Sequence, residues 1–189
     1  MGRRVGVLAV QGDVEAHAKA LQLLGAETVR VRQARDLVGL DALILPGGES
    51  TTISKGIERA GLWQELRDFV RSGRPILGTC AGAILLARRV DNHPVGSLGA
   101  LDVVAVRNAY GTQVDSFSAV ADAGAAEGLE GFRCIFIRAP KFAEPAPAVA
   151  TLLRVEGAPV LVQQGSVMAC SFHPELTSDT RIHARLLGA

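Results

Sequence analysis

What this sequence lacks removes several classes of protein at the outset. Charge of neither sign is in excess, with 20 basic residues against 19 acidic ones. Nothing in that balance advertises a nucleic-acid or anionic-membrane partner. No apolar run reaches the length that spans a bilayer, so no transmembrane helix is expected. The opening Arg3-Arg4 followed by the apolar residues 5–10 superficially resembles a secretory leader. Gln11, Asp13 and Glu15 end that stretch too early, and it reads as a first strand. Cysteine is scarce: Cys80, Cys134 and Cys170 are odd in number and show no metal-like spacing. That argues against a disulfide framework and fits a reducing, cytoplasmic setting. No metal or bound cofactor is implied. Internal repeats, low-complexity tails and linkers are missing, as is the G-x-x-x-x-G-K-[ST] spacing of a phosphate-binding loop. The expectation is one domain over residues 1–189.

What is present suits a layered core, since 48% of the residues are hydrophobic. Residues 5–10 form a short run without alternation, as in a strand buried on both faces. Val14, His17, Ala18, Leu21 and Leu24 recur at helical spacing up to Gly25, and His17 reads as a packed helix histidine. Residues 28–32 alternate and suit a strand near an edge, and residues 42–45 read as another buried strand. Ser50 and Thr51 are placed to cap a helix carrying Ile53 and Ile57. Leu62, Trp63, Leu66, Phe69 and Val70 mark a further helix closed by Gly73. Residues 75–77 lead as a strand into Cys80, and residues 83–87 continue as a helix. This β-α-β-β-α-α-β-α order argues for a parallel sheet covered by helices.

The middle of the chain changes character. Residues 101–106, 114–120 and 134–137 read as strands, with a turn at 108–111. Residues 121–130 read as a surface loop or weak helix, and 140–147 as a Pro-rich connection. Residues 152–155, 160–164 and 166–171 suit an antiparallel meander, followed by a final helix over about 180–187. The expected fold is α/β and three-layer: a mostly parallel central sheet flanked by helices, with a small antiparallel extension.

Three stretches can do chemistry. Gly78-Thr79-Cys80-Ala81-Gly82 joins a strand to a helix through a very tight turn with a thiol at its apex, the geometry of a nucleophile elbow. Small neighbours are needed there because the apex residue is strained and the two backbones come close. Backbone N–H groups at the helix start favour a thiolate. Read alone, the pentapeptide also fits a buried cysteine in a Gly-rich turn. Pro46-Gly47-Gly48-Glu49-Ser50 ends another strand, where paired glycines let backbone approach a ligand. Alone, it also fits an ordinary turn between strand and helix. Phe172-His173-Pro174-Glu175 leaves the last strand as a rigid extended segment, in which Glu175 can orient one nitrogen of His173 while the other takes a proton from a thiol. Ligands gather beyond the C-terminal strand ends of such sheets, so the three stretches can share one crevice. The N–H groups of Gly48 and Ala81 are candidates for an oxyanion hole, in which losing one donor costs about 3 kcal/mol. Such a site suits acyl transfer from an amide or ester.

In this relation the three stretches resemble class I, triad-type glutamine amidotransferases. With Leu8-Ala9-Val10-Gln11-Gly12, Val106-Arg107-Asn108-Ala109-Tyr110-Gly111, Val114-Asp115-Ser116-Phe117 and Phe136-Ile137-Arg138-Ala139-Pro140, the chain is similar to the glutaminase subunits of pyridoxal 5'-phosphate synthases. The resemblance implies hydrolysis of L-glutamine to glutamate and ammonia. The ammonia would pass to a barrel-shaped synthase subunit in a large hetero-oligomer. It implies Cys80 as nucleophile, completed by His173 and Glu175. Gly48, Glu49, Ser50, Arg107, Ile137 and Arg138 would contact glutamine, and an Arg grips a carboxylate well. Gln11 would couple partner binding to assembly of the oxyanion hole. Thr112 and Ser118 depart from the family pattern, which usually carries Arg and Glu there. Two other readings compete: a glutaminase serving a different synthase, such as imidazole glycerol phosphate synthase, and a docking module without catalysis. The segments around Arg107 and Ile137 oppose the first, and the intact Cys80, His173 and Glu175 set opposes the second.

Overall fold

Strands without alternation and short βα turns build the parallel part of the sheet. The computed structural model describes residues 2–92, 95–107, 116–122 and 126–188. Strand β1 (Arg4–Leu8) leads to helix α1 (Val14–Leu23), then β2 (Glu27–Val31) and β3 (Ala42–Leu45). Helices α2 (Ser50–Ala60) and α3 (Trp63–Arg71) follow, then β4 (Ile76–Thr79), α4 (Ala81–Leu86) and β5 (Ala87–Asp91). The second half supplies β6 (Leu101–Val106), β7 (Ser116–Val120), β8 (Arg133–Ile137) and β9 (Lys141–Ala143). It ends with β10 (Ala150–Val155), β11 (Ala158–Gln164), β12 (Val167–Cys170) and α5 (Arg181–Leu186).

Seven strands form the central sheet in the order β10-β11-β12-β4-β3-β1-β2. From β12 to β2 every pair is parallel, whereas β10, β11 and β12 run antiparallel as a meander. Both faces are covered, which explains the unbroken apolar runs. Leu43 and Leu45 join the core shared with Ile53, Ile57, Leu66 and Leu86 of α2, α3 and α4. Ala42 and Ile44 face the other way, into the core with Leu21 of α1 and Ile182 and Leu186 of α5. Truncating one such buried Leu or Ile to Ala costs about 2–5 kcal/mol.

The expected three-layer α/β architecture is present, and β2 lies at an edge as its alternation implied. Several expectations are corrected. The Pro-rich connection contains β9, which pairs with β6 beside β5 in a separate three-stranded sheet. Strand β5 and a 3₁₀ turn at Ala34–Leu37 were not foreseen. Glu49, rather than Ser50 or Thr51, caps α2: its carboxylate accepts from the amides of Thr51 and Thr52 at 3.1 and 2.6 Å. Of the two readings of the Ala- and Gly-rich segment, loop or weak helix, its described part is loop and turn. The turn expected at 108–111, the start of the strand expected at 114 and Thr112 lie outside the described residues.

Candidate active site

The sheet order brings together pieces that are far apart in sequence. Strand β4 ends at Thr79, beside β12 on one side and β3 on the other. The segments that follow these three strands carry Cys80, His173 and the Gly47-Gly48 turn. They meet in one cleft of about 400 Å³, lined by Gln11, Gly48, Glu49, Ser50, Cys80, Ala81, Ile84, Arg107, Ile137, Arg138 and His173. Every residue named for the triad, the oxyanion hole or glutamine contact therefore lines this cleft except Glu175, which is buried behind it.

Cys80 takes φ 47° and ψ −103°, a conformation that a side chain rarely adopts. It is held there by close packing. A Cβ on Gly82 would come within 1.8 Å of the Leu45 carbonyl oxygen, so only glycine lets α4 approach β3 so closely. The Cys80 amide donates to Cys170 O at 2.9 Å and its thiol to Ile137 O at 3.7 Å. The thiol and the His173 ring line the same cleft, and both flank Gly47.

His173 and Glu175 bracket Pro174 at the start of a short 3₁₀ turn. His173 Nδ1 lies 2.7 Å from Glu175 Oε1, and both side chains are buried. The His173 amide donates to Ile135 O at 2.8 Å, tying this segment to β8. Burial works against an imidazolium here. The neighbouring Cys80 and Glu175 outweigh it and raise the His173 pKa to about 10. The ring is thus biased toward holding its proton.

The Gly47-Gly48 turn lies across the cleft. Gly48 has φ +156°, and Gln11 Oε1 accepts from the Glu49 amide at 3.0 Å. Arg107 Nη2 reaches Glu49 Oε1 at 3.5 Å and Thr51 Oγ1 at 3.4 Å. Burial would raise the Glu49 pKa, but hydrogen bonds from Thr52 and Thr51 dominate and lower it to about 2. Ile137 ends β8 and Arg138 follows with φ 44°, so this turn too is bent toward the cleft. Ser118 lies on β7, where its hydroxyl accepts from Arg133 at 3.1 Å.

The other two thiols have a different character. Burial pushes Cys134 up to about 12, and burial, with the Glu175 charge next, pushes Cys170 well above the usual thiol value. His17 is packed on α1 as expected, yet sequence reasoning missed its surroundings. It is fully buried, and its Nε2 lies 3.5 Å from Glu175 Oε2. Only its place on the apolar face of α1 hinted at that. Among the described residues no group of three or more His, Cys, Asp or Glu could hold a metal ion, and no helix is long and apolar enough to cross a membrane.

The chain is 46% identical to the pyridoxal 5'-phosphate synthase subunit PdxT of Thermotoga maritima, covering 97% of each chain. It is 50% identical to the subunit of that name from Frankia alni, over 96% of this chain and 92% of the relative. A crystal structure of a glutamine amidotransferase superposes with a TM-score of 0.91 at 48% identity, covering 97% of both chains. PurLQS from Thermotoga maritima, at 18% identity and a TM-score of 0.74, shares the fold. The SNO glutamine amidotransferase family matches residues 7–187, nearly the whole chain, and the protein belongs to that family.

Proposed function

We propose that this protein is the glutaminase subunit of a pyridoxal 5'-phosphate synthase, hydrolysing L-glutamine and delivering ammonia to a barrel-shaped synthase subunit in a hetero-oligomer. One observation carries the chemistry: a thiol on a strained turn shares a cleft with a histidine that is itself held at 2.7 Å by a buried carboxylate. The relatives' shared name supports the partner.

In this reading the Cys80 thiolate attacks the side-chain carboxamide carbon of glutamine. The carbonyl π electrons move to oxygen, and the N–H groups of Gly48 and Ala81 receive the oxyanion. As the tetrahedral intermediate collapses, the C–N bond breaks and His173 gives its proton to the departing nitrogen, releasing ammonia. A thioester remains on Cys80. Neutral His173 then takes a proton from water, whose oxygen attacks the thioester carbon. Collapse frees glutamate and restores the thiolate and imidazolium. Glu175 keeps the ring oriented throughout and stabilises its positive form. Arg107 and Arg138 supply cationic donors for the substrate carboxylate, and Glu49 and Ser50 border its amino-acid end. Gln11 touches the Gly48-Glu49 turn and so connects the end of β1 to the oxyanion hole. The reaction takes place in the cytoplasm, where the three free thiols are kept reduced.

The test is labelling by a diazoketone analogue of glutamine, mapped by mass spectrometry, together with glutamate release with and without the synthase subunit. Label on Cys80 alone and release stimulated by the synthase subunit are expected, with Cys134 and Cys170 as internal controls. Wild-type glutamate release from a Cys80→Ala variant refutes the nucleophile, and failure to assemble with the synthase subunit refutes the partner.

A further inference from the structure

Behind the cleft lies a buried polar cluster that the reaction described above does not use. His17 on α1, Thr79 at the end of β4 and His183 on α5 are all fully buried. His17 Nδ1 is 3.0 Å from His183 Nε2, and His17 Nε2 is 3.2 Å from Thr79 Oγ1. The same Nε2 is 3.5 Å from Glu175 Oε2. Glu175 therefore spends one oxygen on His173 and turns the other toward His17. Among the described residues neither that second oxygen nor His183 Nδ1 has a hydrogen-bond partner.

Proton accounting fixes the direction of this chain. Burial, with the charges of His183 and His173 adding to it, pulls His17 well below its ordinary value, and burial lowers His183 to about 4, so both rings are neutral near pH 7. Suppose His17 carried its proton on Nδ1. Its Nε2 lone pair would then face a carboxylate oxygen, and His183 would keep a buried N–H at Nδ1 with nothing to accept it. With the proton on Nε2, His17 donates to Thr79 Oγ1, turns the positive end of its N–H dipole toward Glu175 Oε2 at 3.5 Å, and accepts from His183 Nε2–H. The polar atoms left without a hydrogen bond are then both acceptors, His183 Nδ1 and Glu175 Oε2. An orphaned acceptor is better tolerated in an interior than an orphaned donor, and the repulsion beside the carboxylate disappears.

We infer that His17 is a positioning residue for proton transfer: its Nε2–H, held in that tautomer by His183, fixes the Glu175 carboxylate so that Oε1 stays on His173 Nδ1. The contact with Thr79 ties the same ring to the residue preceding the nucleophile. One imidazole thus braces both ends of the triad. The inference rests on the triad reading, and the experiment separates the two.

Glutamate release by the complex with the synthase subunit is measured for wild type, Cys80→Ala, His17→Phe, His17→Gln and His183→Leu, with melting temperatures for each. Phe keeps the ring volume and removes the donor, whereas Gln places an amide N–H near the position of Nε2. His17→Phe lowers kcat by about 10–100-fold with KM within about twofold, the pattern of a contribution made mainly in the transition state. His17→Gln recovers most of that loss. His183→Leu frees the His17 tautomer and lowers kcat about threefold, again at nearly constant KM. Equal losses in the Phe and Gln variants reduce the role to packing and overturn the inference. So does wild-type kcat in His17→Phe or, should that variant not fold, in His183→Leu. An inactive wild-type complex or an active Cys80→Ala variant overturns the functional reading instead.

Discussion

Gly47→Ala tests whether the position of the His173 ring limits the reaction. A Cβ at residue 47 would stand 2.4 Å from His173 Cε1, 2.9 Å from Nδ1 and 3.5 Å from Cys80 Cβ. Ordinary contact begins near 3.4 Å, so the ring must retreat by about 1 Å. It has little room to do so. Its backbone amide is fixed on Ile135 O at 2.8 Å, and Nδ1 is bound to Glu175 at 2.7 Å. The ring can yield only by stretching its bond to Glu175 or by changing its distance from Cys80. Overpacking of this kind costs about 1–3 kcal/mol, which lowers the melting temperature by roughly 2–10 °C in a domain of this size. A displacement near 1 Å at reacting groups costs about 100-fold in rate. The assay is steady-state glutamate release by the complex at saturating glutamine, with a thermal melt on the same preparation. The expected result is a folded protein with a large loss in kcat. A Gly47→Ala variant with kcat within twofold of wild type and an unchanged melt would show that the ring is not held as described.

Other outcomes follow from the same geometry. Gly82→Ala puts a Cβ 1.8 Å from Leu45 O, a strand backbone atom that cannot step aside, so it costs more than the usual 1–3 kcal/mol or so of overpacking. A far-UV circular dichroism melt near that of wild type would refute this. Arg107→Met removes a cationic donor from the proposed substrate carboxylate and raises KM for glutamine by about 10–100-fold with a smaller change in kcat. An unchanged KM would place the guanidinium outside the substrate site. Acid should weaken the fold through His183. The unfolded chain takes a proton below its ordinary value of 6.5, whereas the folded ring resists until about 4. Stability is therefore full above pH 6.5 and falls as pH drops toward 4, by roughly 3 kcal/mol from this ring. His173 has the opposite sign: its contribution is full below 6.5 and fades as pH rises to about 10. Urea unfolding between pH 7.5 and 4.5 should fall less steeply for His183→Leu than for wild type. Equal slopes would mean that His183 is not kept neutral.

The chemistry was far more legible than its setting. Cys80 between small residues, and His173 two positions before Glu175, stand out by type and spacing, and both line the cleft. The parallel strands were also readable, because burial on both faces leaves runs such as Ala42–Leu45 with no polar break. The losses have local causes. Strand β5 follows α4 with no turn residue between, and carries Arg88 and Arg89 in succession, so neither periodicity is visible. Strand β9 is three residues long, too short for alternation to register. Ser and Thr outrank Glu as caps, yet α2 begins at Ser50 and leaves Glu49 to reach back over its first turn. His17 shows only a helix face in sequence. Its partners arrive on β4, α5 and the turn after β12, and only tertiary packing brings them together.

The pairing of β4 with β12 has a consequence for how the protein is made. The thiol is synthesised well before β12, the strand that pairs with its own. Until that neighbour docks, Cys80 has no imidazole beside it and no carboxylate behind it. A nascent chain that has not emerged as far as β12 therefore lacks the proposed triad, and the pairing of β12 with β4 is what completes it.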